Sequence, residues 1–116
     1  KQLVDDPRKT LDAYLEETMK EMLKEVGSRT WRVRESACLA LSDLLTGRRY
    51  SEIASQLEQT WEMTLRALDD IKESVRTAAG ALLRSVRGLT LRLCDVTQSS
   101  QADASATVAT VLPILL

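Results

Sequence analysis

Few side chains in this 116-residue chain could do chemistry on their own: two cysteines, a tryptophan set among arginines, and scattered carboxylates. Cys38 and Cys94 share no metal-ligand spacing, and the sequence holds no histidine. That composition excludes most zinc sites and every histidine-based acid–base or nucleophile-activating pair. Without a base to activate it, Cys38 reads as a packing residue and Cys94 as equally inert. No glycine-rich phosphate loop or paired-carboxylate motif is present. The expectation is a chain that is not an enzyme and takes no cofactor or metal. Two unpaired cysteines in a chain of this size point to a reducing compartment.

What remains is recognition chemistry. The stretch "SRTWRVRESACLALSDLLTGRR", residues 28–49, places Trp31 beside Arg32 and Arg34 and closes on Arg48 and Arg49. An aromatic ring with guanidinium groups beside it can bind proteins or stack bases, but the net charge is only −1. Lysine runs and interleaved aromatics are missing, so a nucleic-acid groove is not expected. The first ten residues are charged and hold no apolar block. The apolar run from Val108 to Leu116 is too short for a bilayer, which needs ~20 residues, so no membrane insertion is expected. With no initial Met and an apolar end at "TVLPILL", the sequence reads as a piece of a longer protein.

The elements that must position these residues come in two copies, offset by 42. Leu11, Leu15, Met19, Leu23 and Val26 fall on Ile53, Leu57, Trp61, Leu65 and Leu68. Val33, Arg34, Ala37, Leu41 and Leu44 fall on Val75, Arg76, Ala79, Leu83 and Val86. Steps of three and four residues are helical. The spacing predicts helices over 7–26, 30–46, 52–68 and 71–94, with a fifth beginning near Thr107 after a loop over 95–106. Asp6 before Pro7 suits a helix start, as do Ser51 and the Asp70–Glu73 pair, while Gly27 and Gly47 suit helix ends. Pro113 is expected to bend or end the last helix. Cys38 and Gly80 share a register position, where a small side chain suits the close approach of a neighbouring helix.

Two helices per unit and a period near 42 match the HEAT class of α-solenoid. The expected fold is therefore all-α. It comprises a first hairpin over about 7–46, a second over about 49–94, and the start of a third over about 107–116. Leu11, Leu15, Leu23, Val33, Ala37, Leu41, Ile53, Leu57, Trp61, Leu65, Val75, Ala79 and Leu83 are the expected core. Arg34 and Arg76 recur beside that core, and Asp69 and Asp70 are the expected acceptors for Arg34 in a ladder joining the copies.

Charge separates by helix. Residues 1–26 hold seven acids and five bases, and residues 50–70 hold five and one; residues 27–49 hold two acids and five bases, and residues 71–94 one and five. The second helices are thus the basic side. Trp31, Arg32, Arg48, Arg49, Arg84 and Arg87 are the candidates for contact with a protein partner, and Asp12, Glu16, Glu58 and Glu62 mark the opposite side.

The blocks "WRVRESACLALSDLLTGR" and "DDIKESVR", and "RLCD" followed later by "LP", resemble the family of large HEAT-repeat proteasome adaptors and scaffolds. The likeness runs from Trp31 to Asp95 and, weakly, from Val108 to Leu115. It implies a giant, non-enzymatic, cytoplasmic and nuclear solenoid that bridges the proteasome core and regulatory particles, with proteasome subunits and neighbouring repeats as partners. The alternatives are a tubulin-binding HEAT array, for which Arg29, Trp31 and Arg32 would form the binding turn, and a generic HEAT interaction scaffold.

Overall fold

A computed structural model describes residues 7–116, with side-chain surroundings from residue 13 onward. Asp6, and the side chains of Leu11 and Asp12, lie outside the described residues. The described chain is all-helical, with no strand. α1 spans Pro7–Val26 and α2 Trp31–Leu45. A one-turn α3, Tyr50–Ile53, runs through a 3₁₀ turn at Ala54–Gln56 into α4, Leu57–Ala67. α5 spans Glu73–Cys94 and α6 Gln101–Leu115.

The helices form two layers, α1, α4 and α6 in one and α2 and α5 in the other, in a slab of 49 × 36 × 19 Å. A thickness of 19 Å is about two helix diameters. Between the layers Leu15, Met19, Leu23, Ala37, Leu41, Ile53, Leu57, Trp61, Ala79, Leu82 and Val86 are buried. Hydrogen bonds join Arg34 to Asp70, Ser42 to Ser85, and Arg92 to the Arg48 carbonyl. Both members advance together along the chain, so α2 and α5 run parallel and in step.

Three expected core residues are not buried. Val33 is exposed because it lies opposite Ser42 around α2, and Ser42 faces α5; no described helix covers the other flank. Leu65 is exposed for a different reason. Leu57, Trp61 and Leu65 are each four residues apart, so the third lies about 80° around the helix from the first. The buried arc of α4 is instead Leu57, Thr60, Trp61, Thr64 and Ala67, and Leu65 falls beyond its edge. Leu83 is only half-buried.

Several boundaries also differ from the sequence expectation. α6 begins at Gln101, six residues before Thr107, because Ser100 Oγ accepts the Asp103 N–H at 3.0 Å and caps it there. The loop over 95–106 is therefore shorter, and an Asp95-centred turn occupies its start, with Asp95 accepting from the Thr97 N–H and hydroxyl. Ser51 lies inside α3, whose first turn is held by the Glu52 carboxylate accepting the Arg49 N–H at 2.8 Å. Asp70 does not cap α5 directly; it accepts the Lys72 N–H, and Lys72 is the residue before the helix. Pro113 sits within α6 without ending it. Gly47, at φ 74°, adopts the left-handed conformation that ends a helix cleanly. Gly80 has no neighbouring helix against it; the nearest atom to a Cβ there would be Arg84 Nη1, 3.9 Å away.

Candidate functional site

The turns between the paired helices carry the densest polar chemistry, and a set of their hydrogen bonds recurs at the offset of 42. Ser28 Oγ accepts the Thr30 N–H, and Asp70 Oδ1 accepts the Lys72 N–H. The Thr30 carbonyl accepts from Val33 and Arg34, and the Lys72 carbonyl from Val75 and Arg76. Arg34 Nη1 donates to the Ser28 carbonyl at 2.9 Å, and Arg76 Nη1 to the Asp70 carbonyl at 2.6 Å. Each arginine thus reaches six residues back to clamp its own turn.

Arg34 does more. Its Nε and Nη2 donate to Asp70 Oδ2 and Oδ1 at 2.7 and 3.1 Å, a two-pronged bond from the first turn to the second. Asp69 is exposed beside it and takes no part. The hydrogen bond to Asp70 raises the Arg34 pKa, and the same bond holds the Asp70 carboxyl below the usual range against its partial burial. Arg76 has no carboxylate partner among the described residues.

Trp31 stands over the same junction. Lys72 Nζ lies 4.4 Å from its ring centroid and Arg32 Cζ 5.1 Å. Cations over an indole face are attracted to its quadrupole, so Trp31 joins the two turns. Sequence reasoning singled out Trp31 and missed Lys72, whose signal was available: it stands at the position of Thr30, one turn along the ladder.

The six contact candidates differ in what holds them. Arg48 and Arg49 share Glu52, at 3.6 and 3.4 Å, and Arg48 Nε also donates to the Leu44 carbonyl. Burial alone would raise the Glu52 carboxyl, but the Arg49 N–H, the Arg49 side chain and Arg48 together hold it low. Arg32 is exposed above Trp31. Arg84 and Arg87 are exposed on α5 with no ion-pair partner among the described residues. On the other layer Glu16 and Glu17 share Lys20, while Glu58 and Glu62 are exposed and unpaired among the described residues.

The thiols are quiet. Cys38 is fully buried, which pushes its pKa up to about 11, and burial also raises that of Cys94. Among the described residues no cluster could hold a metal ion, and no helix is long and apolar enough to cross a membrane.

Fold and site together define a class: a stacked-helix chain whose polar groups join one helical hairpin to the next. Comparison with known proteins then narrows the class. The chain is 43% identical over 114 residues to the human proteasome adapter and scaffold protein ECM29, an alignment covering 98% of this chain and 6% of that one. It is 35% identical over 103 residues to proteasome component ecm29 of Schizosaccharomyces pombe, covering 84% and 6%. It is 26% identical over 114 residues to proteasome component ECM29 of Saccharomyces cerevisiae, covering 97% and 6%. Over the stretch it shares with them, the chain is similar to proteins named as ECM29 proteasome adapters, scaffolds or components. It spans about 6% of the length of these curated relatives. No family model and no solved structure matches it.

Proposed function

We propose that this chain is a non-enzymatic segment of a proteasome-associated HEAT-type α-solenoid, working in the cytoplasm and nucleus of the cell. Its stacked hairpins hold a longer array in the shape that bridges the core and regulatory particles. The observation that carries this reading is the 43% identity across nearly the whole chain to a protein named as a proteasome adapter and scaffold. The recurrence of one turn's hydrogen bonds 42 residues later supports a repeat origin. A binding turn of the tubulin type would need Trp31 free, whereas its ring is taken up by Lys72.

Contact with the proteasome, in this reading, falls to the basic second-helix layer, through Arg32, Arg84 and Arg87 and not through Arg48 and Arg49, which Glu52 occupies. Exposed charge pairs contribute about 0–1 kcal/mol each, so single changes are nearly silent. Reversing Arg32, Arg84 and Arg87 together in the full-length protein should lower capture of intact proteasomes roughly three- to ten-fold, mainly through slower encounter. Reversing Glu17, Glu58 and Glu62 should leave capture unchanged. Equal capture by both variants would make this stretch a spacer.

A further inference from the structure

The outer side of the α2–α5 pair is open. Between the helices runs a groove of about 520 Å³, walled by Glu35 and Leu39 from α2 and by Glu73, Ala78, Ala81 and Arg84 from α5. Because the helices run parallel, the groove is ordered along its length. Glu35 and Glu73 stand at one end, Leu39 and the two alanines form the apolar middle, and Arg84 closes the other end. Leu39, in the middle of α2, is 47% exposed along this groove. Neither the two carboxylates nor Arg84 has an ion-pair partner among the described residues. The Ser74 hydroxyl, at the acidic end, is buried without a hydrogen-bond partner. Gly80 leaves space beside the Arg84 guanidinium, with Nη1 3.9 Å from where a Cβ would be.

We propose that this groove docks an extended segment of a partner protein carrying a basic, an apolar and an acidic residue in that order from the Glu35–Glu73 end to Arg84. The inference rests on the second-helix layer being the partner face, and narrows that reading to one ordered motif. Charge complementarity at both ends and the unsealed leucine between them carry it. From Glu73 to Arg84 the wall measures about 16 Å, the span of about five extended residues. The segment can run in either chain direction, since side chains and not the peptide's polarity set the order.

The test uses the full-length protein and three fluorescent peptides: Lys-Ser-Leu-Ser-Asp, Lys-Ser-Leu-Ser-Lys and Asp-Ser-Leu-Ser-Asp, each with capped ends. Anisotropy should rank the first above the other two by about three- to five-fold. Arg84→Glu should reverse the ranking of the first two peptides, and Leu39→Ser should weaken all three, with helicity unchanged. Identical ranking in wild type and Arg84→Glu would overturn the groove assignment. The same variants are assayed for proteasome capture. Ordered peptide binding with unchanged capture on reversal of the three arginines leaves the groove standing and removes the proteasome contact. Reduced capture with no peptide preference does the reverse.

Discussion

Asp70 carries three roles on one residue. Its carboxylate receives both prongs of Arg34 and the Lys72 N–H, and its carbonyl receives Arg76. Its pKa is depressed first by the Arg34 hydrogen bond, and burial only partly opposes this. A carboxyl held below its unfolded value contributes stability above that value and loses it as pH falls through the folded one. Thermal unfolding of the chain should therefore show an acid limb below the ordinary aspartate range, and Asp70→Asn should flatten it while lowering the midpoint at neutral pH. An unchanged acid limb in the variant would remove Asp70 from this role. Trp61 gives a second prediction at this scale. Its Nε1 donates to the buried Thr90 hydroxyl at 2.9 Å, so Thr90→Val should cost about 1–3 kcal/mol by urea unfolding, the penalty of a stranded indole N–H. Such pairs were poorly legible in the sequence. A hydrophobic pattern picks out Trp61 but passes over Thr60, Thr64 and Thr107, which are buried because each hydroxyl bonds the carbonyl four residues back. Arg34 was legible because its type and register both recur; Lys72 was legible only through the register, since the first copy has Thr30 at that position and the residue type does not recur.

At the scale of elements, helix ends and glycines decide where the chain bends. Gly47 and Gly88 both have open space where a Cβ would go, yet opposite outcomes follow from their backbones. At φ 74°, Gly47→Ala should lose about 1–2 kcal/mol, with Gly47→Asn losing less. Gly88 is helical and exposed, so Gly88→Ala should gain roughly 0.5–1 kcal/mol. Denaturant midpoints of the three variants check both signs. Helix positions followed the period-42 pattern well, since stripes of Leu and Ala at threes and fours are a strong signal. The misplacements came where a local competitor won. Glu52 starts α3 from Arg49, a 3₁₀ turn separates it from α4, and Ser100 starts α6 before any apolar stripe begins. The apolar pattern cannot register a cap that lies in a polar segment.

At the scale of the whole molecule, the α1–α4–α6 layer is acidic on its exposed side, and the α2–α5 layer presents Arg32, Arg84 and Arg87. Much of the basic excess is consumed internally, by Asp70, by Glu52 and by main-chain carbonyls. Charge tallied from the sequence therefore overstated the free cations, because ion pairing depends on which turns meet. A slab of paired helices with a buried interior and an open groove on the outer side of the α2–α5 pair is suited to transmitting shape along an array and to contact on that side. The most direct measurement places a photo-crosslinking residue at Arg87 on α5, and separately at Glu58 on α4, of the full-length protein bound to purified proteasomes. Crosslinks to acidic segments of proteasome subunits are expected from position 87 and none from position 58. Crosslinks from position 58 alone would contradict the assignment of the α2–α5 layer as the partner face.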